Sequence, residues 1–170
     1  PQSMGAADEP ARSDMFNIFP SRIDVNSSRS NCPFNDIVDI DTETWFYLNQ
    51  EINSVPSTNI NLYSEKDNEA IYAGLQASQQ CDFEPREEKK GDIARAIFYF
   101  YAIYNVINQN TYLSYANDPF FDVMKLTLLQ WHEDDPVDQE EIDRNNAIKL
   151  QQGNDNPFII DATLASRFYN

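Results

Sequence analysis

A single histidine, two cysteines and four glycines are all that this 170-residue chain holds of the residue types that most often mark a site. One histidine leaves no multi-histidine metal centre, and Cys32 and Cys81 show no metal-type spacing. The few glycines form neither a phosphate-cradling loop nor a nucleophile elbow. Cations are also scarce: 12 Lys and Arg stand against 28 Asp and Glu, for a net charge of -16. That balance repels phosphate backbones at long range and counts against a nucleic-acid partner. A local cationic strip with a divalent ion at the reacting bond escapes the objection, because salt screens distant charge. No hydrophobic run reaches transmembrane length, so no membrane insertion is expected. The two cysteines fit either one disulfide in an oxidising compartment or two small buried apolar residues.

Aromatic residues are plentiful, with nine Tyr and eleven Phe in a chain that is 41% hydrophobic. This content suits one globular domain whose core needs no metal to form. Residues 1–13, small and charged with two prolines, read as an irregular arm. Met15 to Phe19 has the composition of a short strand ended by Pro20, and Ile23 to Asn31 that of a short polar helix or turn. From Asp36 to about Gln80 the pattern is loop-rich, with strand-like pieces at Trp45–Leu48 and Ile60–Tyr63. Helical spacing then takes over: Ile93 to Ile107 reads as the central buried helix. A second helix follows the Asp118-Pro119 start, with Phe121, Met124, Leu128 and Trp131 on one face. A third runs from the Asp138 cap to about Gln151, and Gly153 ends it. The sum is an α+β fold, mainly helical, with a loop-rich insertion.

Few polar residues stand out. Arg95 lies inside an apolar helix, where a charge must be paired or must face a groove. His132 follows Trp131 at a helix end and precedes three acids, which suits a structural, hydrogen-bonded role. Lys89 and Lys90 are nearly cancelled by Glu87 and Glu88, and the acidic runs Asp36–Glu43 and Glu133–Glu141 lack EF-hand spacing.

Four phrases in fixed order carry more information: Asp14-Met15-Phe16-Asn17-Ile18-Phe19-Pro20, Val25-Asn26-Ser27-Ser28-Arg29-Ser30-Asn31, Lys90-Gly91-Asp92-Ile93-Ala94-Arg95-Ala96-Ile97-Phe98-Tyr99, and Gln152-Gly153-Asn154-Asp155-Asn156-Pro157-Phe158. Together with Leu129–Val137 and Arg144-Asn145, they make the chain resemble the bacterial endonuclease I family from about Asp14 to Ile160. The resemblance implies an endonuclease I-like domain over 14–170, the C-terminal part of a ββα-metal, or His-Me finger, nuclease. It implies hydrolysis of DNA or RNA phosphodiesters with a divalent ion, Mg²⁺ first and Ca²⁺ or Mn²⁺ as alternatives. It also implies a secreted, periplasmic or cell-surface location. In the family a Glu-His pair supplies one metal ligand and the general base, and an Asn on the following helix supplies another ligand. By resemblance that Asn is Asn26; Arg29, three residues on and on nearly the same helical face, is a phosphate-binding candidate or a structural hydrogen-bond donor, and Arg95 is a second candidate, with a buried structural pair the favoured reading.

The Glu-His pair is absent from residues 1–13, so the resemblance places it upstream of Pro1, in a segment that would then be a partner of this chain. Phe16 occupies a position where many relatives have histidine. The alternative is a catalytically inactive nuclease-like interaction module.

Overall fold

The computed structural model describes residues 9–111 and 118–169. The fold is α+β, as the sequence implied. Its elements are α1 (Ile23–Arg29), β1 (Thr44–Tyr47), β2 (Gln50–Ile52), β3 (Ser64–Asp67), β4 (Asp82–Glu84), α2 (Lys90–Thr111), α3 (Asp118–Asp134), α4 (Gln139–Gln152), α5 (Pro157–Ile160) and α6 (Leu164–Tyr169). The strands form one antiparallel sheet in the order β2-β1-β3-β4. Most of the expected arm lies outside the described residues. Its end does not hang free, since Ala11 is fully buried in the main core.

α2 is the hub of that core. Ile97, Phe98, Phe100, Tyr101 and Tyr104 pack with Phe16, Phe120, Met124, Leu128, Trp131 and Phe158 from the surrounding elements. Full burial of an aromatic or branched side chain contributes about 1.5–3 kcal/mol, so this cluster dominates the apolar stabilisation. A smaller cluster of Phe46, Phe83, Cys32 and Cys81 covers the sheet. Within it the two cysteines form a disulfide, which closes the alternative that the sequence left open.

Two segments differ from their expected form. Met15–Asn17 is a 3-10 turn rather than a strand. The Asp14 carboxylate accepts the Phe16 N–H at 3.0 Å and the Tyr99 and Tyr104 hydroxyls at 2.8 and 2.6 Å, which curls the chain and drops Phe16 into the core. Ile60–Leu62 is likewise a 3-10 turn, entered through Asn59 in the left-handed region, and the strand begins one residue after Tyr63. The third helix starts as expected, with the Asp138 side chain accepting the Glu141 N–H at 2.8 Å, and ends on Gly153 at φ 85°. The Glu141 carboxylate does not turn back to complete a capping box; it is held by Arg95.

Candidate nucleic-acid interface

One wall of the groove that matters here is the stretch from Asn17 to Arg29, which runs past Pro20 into α1. Arg22, in extended conformation, precedes the first turn of α1, where Asp24 adds negative charge at the helix start. α1 buries no apolar side chain fully. It is held by its surroundings: the Cys32–Cys81 bridge just beyond its end, and Val25 against the small cluster on the sheet. The other walls are β1 with Leu48, the segment Phe83 to Arg86, the first turns of α2, and α4 from Glu140 to Arg144. Together they enclose about 700 Å³.

The charge of this groove departs from that of the chain. Arg22, Arg29, Arg86, Lys89 and Arg144 line it, against the carboxylates Asp92, Glu140 and Glu141. In a protein with 28 acids and 12 cations, five lining cations against three lining carboxylates locally reverse the balance of the chain. The cations are not equivalent. Arg22 pairs with Asp24, Arg86 with Glu88, and Lys89 with Asp92 and Glu140. Arg29 and Arg144 have no carboxylate within ion-pair distance among the described residues.

Arg29 bonds only weakly, from Nη2 to the Cys32 carbonyl at 3.3 Å, and its guanidinium lies 4.3 Å from the centre of the Phe34 ring. Its Nε is closed off from solvent without a hydrogen-bond partner. Burial without a counter-charge pushes its pKa down to about 10. It remains a cation at neutral pH, and an incoming anion would relieve its desolvation.

Asn26 is exposed on α1, lines the same groove, and its carboxamide has no hydrogen-bond partner among the described residues. A free amide oxygen suits a hard cation that keeps most of its waters, but one neutral ligand does not hold an ion alone. Among the described residues no cluster of three His, Cys, Asp or Glu side chains is arranged to hold a metal.

Arg95, the other phosphate candidate, is not brought to the groove. It is fully buried, and Glu141 grips it at 2.8 Å on Nε and 2.7 Å on Nη2. Its Nη1 donates to the Asp135 carbonyl at 2.8 Å, and its own carbonyl accepts from Asn156 Nδ2 at 3.1 Å. Arg95 thus ties α2 to the α3–α4 turn, α4 and α5. Gly91 is part of the same arrangement. Its N–H donates to Asp135 Oδ2 at 2.8 Å, and a Cβ there would collide with the Asp135 carbonyl and the Arg95 guanidinium.

His132 sits beside this cluster, 7% exposed. Its Nε2 lies 2.7 Å from the Ala162 carbonyl and its Nδ1 3.4 Å from Arg95 Nη1. With Nε2–H donating to the carbonyl, Nδ1 is left to accept from Arg95, so the neutral ring satisfies both contacts. Burial, then the Arg95 charge, lowers its pKa despite the carbonyl contact. The geometry is that of a structural imidazole.

Sequence reasoning passed over Arg144 and Asn17 as site residues. Arg144 stood in a short phrase with no other signal, and Asn17 in a segment read as a strand. Only the folded chain places both on the groove with Asn26 and Arg29.

Residues 1–163 match the protein family described as Endonuclease I. Among curated proteins, the chain is 37% identical over 84 residues to an extracellular ribonuclease of Bacillus amyloliquefaciens, a match covering 45% of this chain and 29% of that protein. It is 36% identical over 84 residues to an extracellular ribonuclease of Bacillus subtilis (strain 168), with the same coverage of 45% and 29%. The match therefore spans under a third of the length of these relatives. No solved structure matches the chain significantly.

Proposed function

Because the chain belongs to the endonuclease I family, we propose that the groove beside α1 binds a nucleic-acid strand as part of a secreted, metal-dependent nuclease that hydrolyses phosphodiester bonds of DNA, RNA or both. The observation that carries this reading is Arg29, a desolvated guanidinium without a carboxylate partner, on the same short helix and groove as the uncommitted amide of Asn26. A phosphate oxygen supplies the negative charge that Arg29 lacks. Asn26 offers one oxygen to a hydrated divalent ion, Mg²⁺ by preference. When bound, that ion stabilises charge developing on the phosphate.

The remaining parts of the reading follow the family resemblance: the ββα-metal motif with α1 as its helix, and a Glu-His pair contributed from residues before Pro1. Arg95 has a structural place in it, through Glu141, rather than a contact with substrate. Secretion is supported by the Cys32–Cys81 disulfide, since such bonds persist in oxidising compartments, and by the extracellular location in the names of both Bacillus relatives.

The test is cleavage of plasmid DNA and of RNA by the full-length protein. Mg²⁺ should sustain cleavage, a chelator should abolish it, and Asn26→Ala should lower the rate at saturating substrate by at least about ten-fold. Metal-independent cleavage, or an Asn26→Ala rate equal to wild type, contradicts the metal assignment. No cleavage under any condition favours the inactive interaction module.

A further inference from the structure

We propose that Leu48, at the tip of the β1–β2 hairpin, is an apolar contact for the sugars and base faces of a bound nucleic acid, presented beside the arginines that meet its phosphates. The inference rests on the nucleic-acid reading above and adds to it a residue that touches nucleoside rather than phosphate.

Backbone geometry supplies the first observation. Tyr47 pairs with Gln50, so Leu48 and Asn49 alone make the turn between β1 and β2. Hairpin turns of that length need a left-handed backbone at their first position, where glycine, asparagine or aspartate is the usual occupant. Leu48 holds that position at φ 48°. A leucine there strains the chain, although an asparagine stands only one residue later.

Exposure supplies the second. Leu48 is 67% exposed, so packing within the fold does little to offset the strain. Strain of this kind gathers at sites that bind or react. The residue borders the groove whose walls carry Arg22, Arg29, Arg86, Lys89 and Arg144.

The hairpin tip is also held in place. The Leu48 carbonyl accepts from Arg22 Nη1, and Arg22 directly precedes α1, the helix of Asn26 and Arg29. Behind the tip, the Tyr47 ring centre lies 5.2 Å from that of Tyr63, which meets Trp45 at 6.1 Å. This aromatic row braces β1, so the leucine is offered on a fixed support.

A nucleic acid alternates charged phosphates with sugars and bases, and a groove that holds it needs a surface for each. Leucine is among the apolar side chains that proteins insert against bases without reading their sequence. Such a contact depends neither on the identity of the base nor on its pairing, so it adds affinity to any strand that the cations hold.

The experiment is fluorescence anisotropy on this chain with a labelled oligonucleotide across a salt series, for wild type, Leu48→Asn and Leu48→Met, with the Tm of each protein measured alongside. Asparagine tolerates the left-handed backbone, so Leu48→Asn should hold or raise the Tm. The same variant should bind about five-fold or more weaker, the effect of no longer hiding an exposed leucine from water. No charge is removed, so its plot of log affinity against log salt should run parallel to that of wild type. Leu48→Met keeps an apolar side chain of similar size and should bind within about two-fold of wild type. Wild-type affinity in Leu48→Asn overturns the contact and leaves the nucleic-acid reading intact. So does a fall in its Tm, which makes the leucine a structural part of the hairpin, and so does a loss in Leu48→Met equal to that in Leu48→Asn. If wild type binds no oligonucleotide, the nucleic-acid reading falls and the contact with it.

Discussion

Burial pushes the Glu65 carboxyl up to about 7, opposed by the Thr42 hydroxyl that donates to it at 2.6 Å. Glu84, directly across the strand pair, raises it further. As pH rises from the ordinary carboxylate range to about 7, the unfolded chain has released this proton while the folded chain keeps it. Over that window the Glu65 contribution to stability falls with rising pH. Glu65→Gln should remove this component, so the Tm advantage of the variant over wild type should grow between about pH 4.5 and pH 7.5. Parallel Tm curves across that range contradict the assignment. Arg95 tests a different residue-scale effect. Arg95→Met leaves Glu141, 4% exposed, without its partner, and should cost about 3–5 kcal/mol of unfolding free energy in urea titration. A loss below about 1 kcal/mol would mean that the Glu141 pairing is not what ties α2 to α4.

α1 shows how an element with no core of its own is kept in place. It buries no apolar side chain fully, and a helix this short has little intrinsic stability in water, so the Cys32–Cys81 bridge and the groove walls fix it. Closing a loop with a sequence separation of 49 residues is worth about 4 kcal/mol by chain entropy. Replacing both cysteines by alanine should therefore lower stability by a large part of that amount, and amide exchange across α1 should quicken more than across α2. Equal exchange in the two helices contradicts this role for the bridge.

Element by element, legibility in the sequence followed the range of the forces. The long helices were readable because the 3.6-residue spacing of Ile97, Tyr101, Tyr104, Met124 and Leu128 is a local property of the chain. The turn at Met15–Asn17 was not, because it exists through Asp14 bonds to Tyr99 and Tyr104, some 90 residues away in sequence. The same holds for the site. Asn26 and Arg29 were legible through a recurring phrase, whereas Arg144 and Asn17 join them only through the docking of α4 against the first segment. Arg95 was half legible: its apolar setting called for a partner or a groove, and only the fold shows Glu141 as the partner.

At the scale of the whole molecule, a net charge of -16 and a groove lined by five cations pull in opposite directions. Long-range repulsion slows encounter with a polyanion at low salt, while the proposed phosphate contacts inside the groove would release counterions and weaken as salt rises. Arg29 is central because its charge is unmatched by any carboxylate among the described residues. The most direct measurement is the affinity of this chain for a labelled oligonucleotide across a salt series, for wild type and Arg29→Gln. Arg29→Gln should weaken binding about ten-fold or more for every sequence and reduce the slope of log affinity against log salt by about one. Superimposed lines for the two proteins would contradict the claim that this groove holds the phosphate backbone.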